Sequence, residues 1–513
     1  MTSRTYFVTT PIYYANAEPH IGHTYTTVVA DVLVRWRRQR GDDAFSVSGT
    51  DEHGEKMVEA AAKRGLAPAL FTEAVSASFQ RTWADLDIAP SRFVRTTDPA
   101  HGRNVQAVLQ RVHDAGWIEQ REYEGLYCVG CERFLTERDL VDGLCRDHER
   151  APEPRREVNY FFRMSRAFGW LRDEIEGDRI EIRPERYKNE ALAMLRDESG
   201  LGDLSISRPK ARLAWGIELP FDREHVCYVW FDALLSYLTG AGFDGARAWD
   251  EQDATFRRRW AAAEHLIGKD ILKPHAIFWP IMLRAMGFPP YRRLHVHGYW
   301  NVDDRKVSKS LGNMVSPLAM RERYGFEAFR WFLLREMSFG LDASFTEEAL
   351  VERVNADLAN NLGNLVSRTL NLVEKLCEGA VPEPGATPGA DDRAVLAQAD
   401  ATRARVDAAL AAVQPHLALA AIVECASAVN RYVDARAPWK AAKQPQTAGE
   451  ARTTLHFACL ALGRLAGLLA PFLPAAAGEI AVRLGLGESG AVVPGARVRK
   501  GSPLFPRLEL REG

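Results

Sequence analysis

Two histidines, His20 and His23, stand three apart in AEPHIGHT, directly after TYFVTTPIYY, with Pro19 before them and Gly22 between. At that spacing two imidazoles share a helix face. A helix N-terminus presents free N–H groups and a partial positive charge, so it attracts phosphate. Pro19 suits the first helical turn, and Gly22 leaves room for a flat base against the backbone. Taken alone, the pair reads as polar helix residues. The case for chemistry rests on a second feature far along the chain. In RKVSKSLGN, residues 305–313, Lys306 and Lys309 bracket Ser308, with Ser310 and Gly312 after them. Two ammonium groups on a loop suit a departing pyrophosphate, although any one such stretch is commonly a solvated basic loop.

A third constellation is made of sulfur and imidazole. Cys128, Cys131, Cys145 and His148 form C-x2-C, a spacer of 13, then C-x2-H. Two close pairs at that separation fit four tetrahedral ligands, and thiolate with imidazole favours zinc over magnesium or calcium. A redox C-x-x-C would leave Cys145 and His148 unexplained, and chance clustering is the other alternative. With four protein ligands the site is closed and structural, pinning its subdomain. The remaining cysteines, Cys227, Cys377, Cys425 and Cys459, are scattered, as buried thiols in a reducing compartment would be.

These groups need elements to carry them. TYFVTT at 5–10 reads as a buried strand, TTVVADVLVRWRRQRG as a helix stopped by Gly41, and DAFSVSGTDEHG as a second strand and turn. Strand, helix, strand with short links is a parallel βαβ unit. HVCYVWFDALLSYL, AEHLIGKDIL and LHVHGYW are aromatic and β-branched runs beside helical stretches such as HAIFWPIMLRAMG. They read as the other half of one doubly wound sheet, whose ligands bind beyond the carboxyl ends of its strands. Between the halves, 116–225 looks inserted. Long Ala- and Leu-rich helical segments follow about residue 340, broken by the loop AVPEPGATPGADD.

Composition sets outer limits. The chain has 513 residues, 46% apolar and 26% charged, with a formal charge of −2. It is too long for one core, and it has no overall field that would draw in nucleic acid, so any such site is a local patch. No charged head and apolar stretch opens the chain, and no run of about 18 apolar residues occurs, so neither a leader nor a membrane span is expected.

In this order and separation, HIGH at 20–23 and KVSKS at 306–310 resemble the two signatures of class I aminoacyl-tRNA synthetases, with Val307 where methionine is frequent. PIYYANAEPHIGH, SGTDEHGEK, YVWFDALLSY, HLIGKDILKPHAIFWP and NLVSR are similar to the methionyl-tRNA synthetase family over nearly the whole chain. There is no room for the large editing insertion of the isoleucine, valine and leucine enzymes.

The resemblance implies a fold and a layout. The fold is α/β, a doubly wound Rossmann-type parallel sheet with an inserted zinc-bearing subdomain, followed by an all-α helical bundle that binds the anticodon. The layout is 1–115 and 226–300 for the two halves of the catalytic domain, 116–225 for the insert, 301–355 for the KVSKS loop and a stem-contact region, and 356–513 for the bundle. His20, His23, Lys306 and Lys309 are then catalytic, stabilising charge on the phosphates. Asn16, Gly22, Asp270, His297, Ser308 and Ser310 bind ATP, with Asp270 on the ribose hydroxyls. Ile12, Tyr14, Asp51, Trp230, Ala233, Leu234, Tyr237 and His275 line the methionine pocket, with Asp51 holding the ammonium group. Leu234 replaces a proline of some relatives, and Pro11 replaces a small residue.

Asn364 and Arg368 lie four apart on one helix face, and Trp439 follows Pro438; by resemblance these three read a CAU anticodon. Arg321, Arg323, Arg330 and Arg335 are candidate contacts to the RNA stem. The implied partners are tRNA(Met), ATP and L-methionine, with Mg²⁺ accompanying ATP and one structural Zn²⁺. A cytoplasmic monomer is expected, since the chain ends at LFPRLELREG without the C-terminal OB-type domain through which some relatives dimerise. Two rivals are a small-molecule adenylyltransferase, which needs no large helical domain, and a catalytically silent RNA-binding relative, in which the signatures would have decayed.

Overall fold

The computed structural model describes residues 4–129, 133–135, 139–146, 149–197, 201–302, 305–306, 314–487 and 490–510, with backbone alone at 123, 133, 134, 305 and 306. The chain divides into two compact units. One holds residues 1–30 and 40–298, and the other holds 31–39 and 299–513.

The first unit is built on a six-stranded sheet. Its strands in chain order are β1 (Thr5–Tyr14), β2 (Asp43–Asp51), β3 (Arg92–Arg95), β4 (Glu181–Arg183), β5 (Ala263–Gly268) and β6 (Arg293–His297). They lie in the order β3-β2-β1-β5-β6-β4, and every pairing is parallel. The strand order reverses between β1 and β5, which makes the ends of those strands the switch-point crevice of a doubly wound sheet. Phe7, Val8, Ala263, Leu266 and Ile267 are all buried, as a sheet covered on both faces requires.

Four features depart from the sequence reading. β1 runs on through Pro11 to Tyr14. Its register with β2 shifts between Thr9 and Ile12, so the proline, which has no N–H to donate, sits in a bulge instead of ending the strand. Second, the stretch 116–225 is not all insertion. Glu181–Arg183 pairs with Arg293–His295 as the sheet's edge strand, and Phe168, Leu171, Ile175 and Ile182 join the main core. Third, VWFDALLSYLTGA is a helix. After α1 (Ile21–Gln39) and α2 (Pro99–Asp114) it is α3 (Val229–Ala241). All its residues but Trp230 are buried, so no amphipathic period marked it as helical. Gly240 lies so close to the sheet that a Cβ there would meet the Val47 side chain at 2.6 Å. Fourth, α1 begins at Ile21, so Pro19 precedes the helix.

The remaining insert carries an antiparallel sheet in which Ile118–Cys128 pairs with Glu153–Phe162. In the second unit, Trp300–Val302 pairs with Ala343–Phe345 and, through Asn301 and Val302, with Arg305–Lys306. The helical region includes α4 (Asn364–Leu376), α5 (Pro415–Arg436) and α6 (Ala448–Leu469). Leu365, Val429, Leu455 and Leu462 are among its fully buried residues. A π-helical stretch, Asn355–Gly363, leads directly into α4, so Asn364 opens a new helical register.

Candidate active site

At the mouth of the crevice His20 caps α1. It stands one residue before the helix, and its Nδ1 accepts the Gly22 N–H at 3.1 Å, satisfying one of the donors a helix start leaves open. His23, in the first turn, stacks on it with ring centroids 3.7 Å apart, and the His23 Nδ1 accepts the His20 N–H at 3.4 Å. Both δ nitrogens therefore act as acceptors. In the neutral rings the proton sits on Nε2, a donor suited to an oxyanion. Burial, with the neighbouring imidazole second, holds His23 well below its ordinary range, so it stays neutral. Gly22 serves this arrangement directly, because a Cβ there would lie 3.1 Å from His20 Cε1.

The carboxyl ends of β5 and β6 supply the next wall. A Cβ on Gly268 would meet Asp270 Oδ1 at 2.7 Å and His297 Cε1 at 3.6 Å, so the carboxylate folds back over the strand end beside the imidazole. The His297 Nδ1–H donates to the Gly298 carbonyl at 2.7 Å, and Nε2 meets the Thr26 hydroxyl on α1 at 2.7 Å. Burial lowers its pKa. His297 therefore ties β6 to α1 and sets where the α1 N-terminus lies relative to Asp270. Asn16 sits in the turn between β1 and α1.

The expected pocket residues come from four elements. The β1 bulge sets Ile12 and Tyr14, and Tyr14 is in register with the buried Asp51 at the end of β2. From α3, Trp230 meets the Tyr14 ring edge-on at 6.4 Å and the His275 ring at 6.3 Å. His275 lies in the π-helical turn Pro274–Phe278. Its Nδ1–H donates to the Ile271 carbonyl at 2.8 Å, so its Nε2 accepts from the Tyr237 hydroxyl at 2.7 Å. Trp230, Ala233, Leu234 and Tyr237, spaced by three and four, share one face of α3. Ile12, Tyr14 and Trp230 are half-buried, whereas Ala233, Leu234, Tyr237 and His275 are buried behind them. An aromatic pocket floor lies beside a carboxylate, which suits an apolar side chain and an ammonium group.

Several residues of this region carried no sequence signal of their own. His265 on β5 backs Tyr237, with centroids 4.6 Å apart, and bridges Thr9 Oγ1 at 2.7 Å and Trp279 Nε1 at 3.0 Å. Glu52 is fully buried and takes both Arg95 donors, at 2.8 and 2.9 Å. Asp232, His53 and His101 form a buried hydrogen-bonded group. Glu52, His53 and Asp232 stand inside the motifs TDEHGEK and VWFDALLSY. Only the fold joins them.

Of the zinc ligand set, Cys131 and His148 lie outside the described residues. Cys128 and Cys145 share a small buried cluster with Leu135, Leu140 packs against it half-buried, and residues 141–144 and 146 are exposed. Among the described residues these two thiols belong to no larger apolar cluster, a setting that would suit a metal as the source of cohesion. In the second loop, Ser308, Lys309 and Ser310 also lie outside the described residues. The Lys306 backbone pairs with Asn301.

In the helical region Asn364 is exposed at the start of α4. Arg368 lies over the Trp439 ring at 4.7 Å and pairs with Asp434 at 2.6 Å. Trp439 follows Ala437, held in the left-handed region at φ 41°, and Pro438, a strained link that sets the ring's direction. The stem candidates separate. Arg330 is buried, paired with Asp31 at 2.5 Å and donating to the Phe472 and Pro471 carbonyls, so it is a structural cation and not an RNA contact. Arg335 pairs with Asp357 at 3.3 Å, and Arg323 pairs with Glu347. Arg321 lies in the last turn of the helix Pro317–Tyr324.

Comparison with known proteins adds to this geometry. A family model described as tRNA synthetases class I (M) matches residues 6–151 and 138–370, and a model described as the anticodon binding domain of methionyl tRNA ligase matches 381–494. A methionine–tRNA ligase of Deinococcus radiodurans is 45% identical over 99% of this chain and 75% of its own length. One from Caldanaerobacter subterraneus is 38% identical over 99% of this chain and 80% of its own. Among solved structures, Mycobacterium tuberculosis methionyl-tRNA synthetase in complex with methionyl-adenylate matches with a TM-score of 0.92 and 39% identity, over 98% of this chain and all of that one.

Proposed function

The chain belongs to the methionyl-tRNA synthetase family, and on that premise we propose how its residues divide the work of a methionine–tRNA ligase. The methionine carboxylate attacks the α-phosphorus of ATP, forming the mixed anhydride and releasing pyrophosphate. A terminal ribose hydroxyl of tRNA(Met), by family resemblance the 2′-OH, then attacks the anhydride carbonyl and releases AMP. The substrate carboxylate is itself the nucleophile, so the protein's part is positioning and charge stabilisation.

Asp51 anchors the ammonium group, while Trp230, Tyr237 and His275 with Ile12, Tyr14, Ala233 and Leu234 take the thioether. Asp270 binds the ribose hydroxyls, with Asn16 and Gly22 along the nucleotide. The His20 and His23 Nε2–H groups and the α1 N-terminus face the phosphates, where charge builds in the transition state. Lys306 and Lys309, with Ser308 and Ser310, meet the β- and γ-phosphates, and Mg²⁺ carried by ATP neutralises part of their charge. Cys128, Cys131, Cys145 and His148 hold one zinc, which braces the insert. Asn364, Arg368 and Trp439 read the CAU anticodon of tRNA(Met).

One observation carries this reading. The imidazole pair is fixed in its acceptor-inward tautomer at the α1 N-terminus, in the same crevice as Asp270 and the aromatic pocket. Aminoacylation tests the whole reading. Purified protein with ATP, methionine and a CAU tRNA should form acid-labile methionyl-tRNA, and a transcript with a changed anticodon should lose most of that rate. Equal charging of both transcripts would contradict the assigned anticodon residues.

A further inference from the structure

Helix α3 has two working faces. Trp230, Ala233, Leu234 and Tyr237 share one, and Asp232 and Thr239, seven apart, lie on the opposite one. On that second face the buried Asp232 carboxylate receives two imidazoles. Its Oδ2 meets His53 Nδ1 at 2.7 Å and its Oδ1 meets His101 Nε2 at 2.7 Å. His53 stands two residues after Asp51, and His101 lies on α2.

The group is closed by further bonds that fix its protons. The Asn104 amide donates to Thr239 Oγ1 at 3.2 Å, and the Thr239 hydroxyl meets His101 Nδ1 at 3.0 Å. Thr239 therefore donates to Nδ1, and His101 gives its Nε2–H to Asp232. Asn104 is itself held by the Phe243 carbonyl and the Gly245 N–H. The His53 ring also faces Trp215, whose Nε1–H donates to the Glu52 carbonyl at 2.6 Å. Burial alone would raise the Asp232 carboxyl, but the two imidazoles outweigh it and hold the group below the ordinary carboxylate range. An ionised carboxylate thus sits in the core with both oxygens satisfied.

We propose that Asp232 is a positioning residue for methionine: through His53 and His101 it fixes the rotation of α3 about its own axis. That rotation sets how far the Trp230–Tyr237 face stands from the ammonium anchor at Asp51. A helix buried everywhere but at Trp230 has no polar, solvent-facing side to set its angle. Its apolar contacts tolerate small rotations better than two charge-assisted hydrogen bonds do. The anchor and the pocket wall are joined by a two-residue step and one hydrogen bond, so a shift at Asp232 moves one against the other. Asp232 touches no substrate in this scheme.

The inference rests on the methionine-activating reading above, and one experiment separates the two. Methionine-dependent ATP–pyrophosphate exchange is measured for the wild type, Asp232→Asn and the near-isosteric Thr239→Val, with thermal melts alongside. In Asp232→Asn the KM for methionine should rise at least tenfold, with the KM for ATP within about twofold of wild type. Thr239→Val, which removes the hydroxyl that donates to His101 and accepts from Asn104, should move the methionine KM the same way by a smaller factor. An unchanged methionine KM in folded Asp232→Asn, or equal rises in both KM values, would overturn the positioning role. Should Asp232→Asn fail to fold, an unchanged methionine KM in Thr239→Val would overturn it instead. No exchange by the wild type would sink the activity reading itself.

Discussion

The Tyr237 hydroxyl lies 2.7 Å from His275 Nε2 and is the donor, because the other nitrogen of the ring is committed to the Ile271 carbonyl. Burial pushes the His275 imidazole down to about 4. Above the unfolded value near 6.5 both folded and unfolded states are neutral and pH has no leverage through this group. Below it, the unfolded chain takes up a proton that the folded one refuses until about 4. Stability should therefore fall as pH drops through this window, by about 3 kcal/mol from this residue alone. His23, His265 and His297 are depressed in the same direction. Denaturant midpoints compared at pH 7 and pH 4.5 check this, and a flat profile would contradict the neutral, buried assignment.

Gly22→Ala should cripple the phosphate site without unfolding the protein. The added Cβ falls 3.1 Å from His20 Cε1, so the ring must give by a few tenths of an ångström, which disturbs its bond to the Gly22 N–H. Displacing one positioned donor costs on the order of a hundredfold in rate. Exchange kinetics should show that loss at an almost unchanged melting temperature.

Lys309→Ala should lower the adenylation rate by about a hundredfold, the scale for removing one transition-state donor. The substitution leaves the amino-acid pocket alone, so methionine binding measured by calorimetry should persist. Full exchange activity in this variant would remove Lys309 from the reaction.

Cys128→Ser and Cys145→Ser should each reduce the zinc measured in purified protein from one per chain towards none, since a closed site needs all four ligands. The same variants should melt earlier or become more sensitive to protease within the insert. Wild-type protein free of zinc after metal-free purification, yet equally stable, would speak for chance clustering.

Trp439→Ala should weaken tRNA binding by about 1–3 kcal/mol, the range for losing one base stacked on an aromatic ring. The Arg368 guanidinium above that ring would lose its platform as well. Pyrophosphate exchange, which needs no tRNA, should be unaffected. A matching fall in exchange would place Trp439 in the fold's core instead.

What could be read from residues alone was the periodic and the clustered. β1 and β2 follow from short aromatic and β-branched runs of buried-strand type, and α1 from helical spacing and Gly41, whose φ of +84° ends the helix. The paired histidines at its start are legible as a motif. Their tautomers are not, because those depend on backbone N–H groups placed only by the fold. α3 escaped notice because burial on every side erases the period that marks a helix. β4 was hidden in the insert, since a three-residue edge strand gives no alternation to detect. Arg330 looked like a surface cation among its neighbours, and only Asp31 and the carbonyls at 471 and 472 show it to be internal. Asp232, His53 and His101 come from three separate stretches, so no local pattern could join them.

The most direct test is ATP–pyrophosphate exchange with each of the twenty amino acids in turn. The crevice, the ammonium anchor proposed at Asp51 and the aromatic floor together predict exchange that depends on methionine. Exchange with another amino acid in its place, or none with methionine, would contradict the assignment of this pocket.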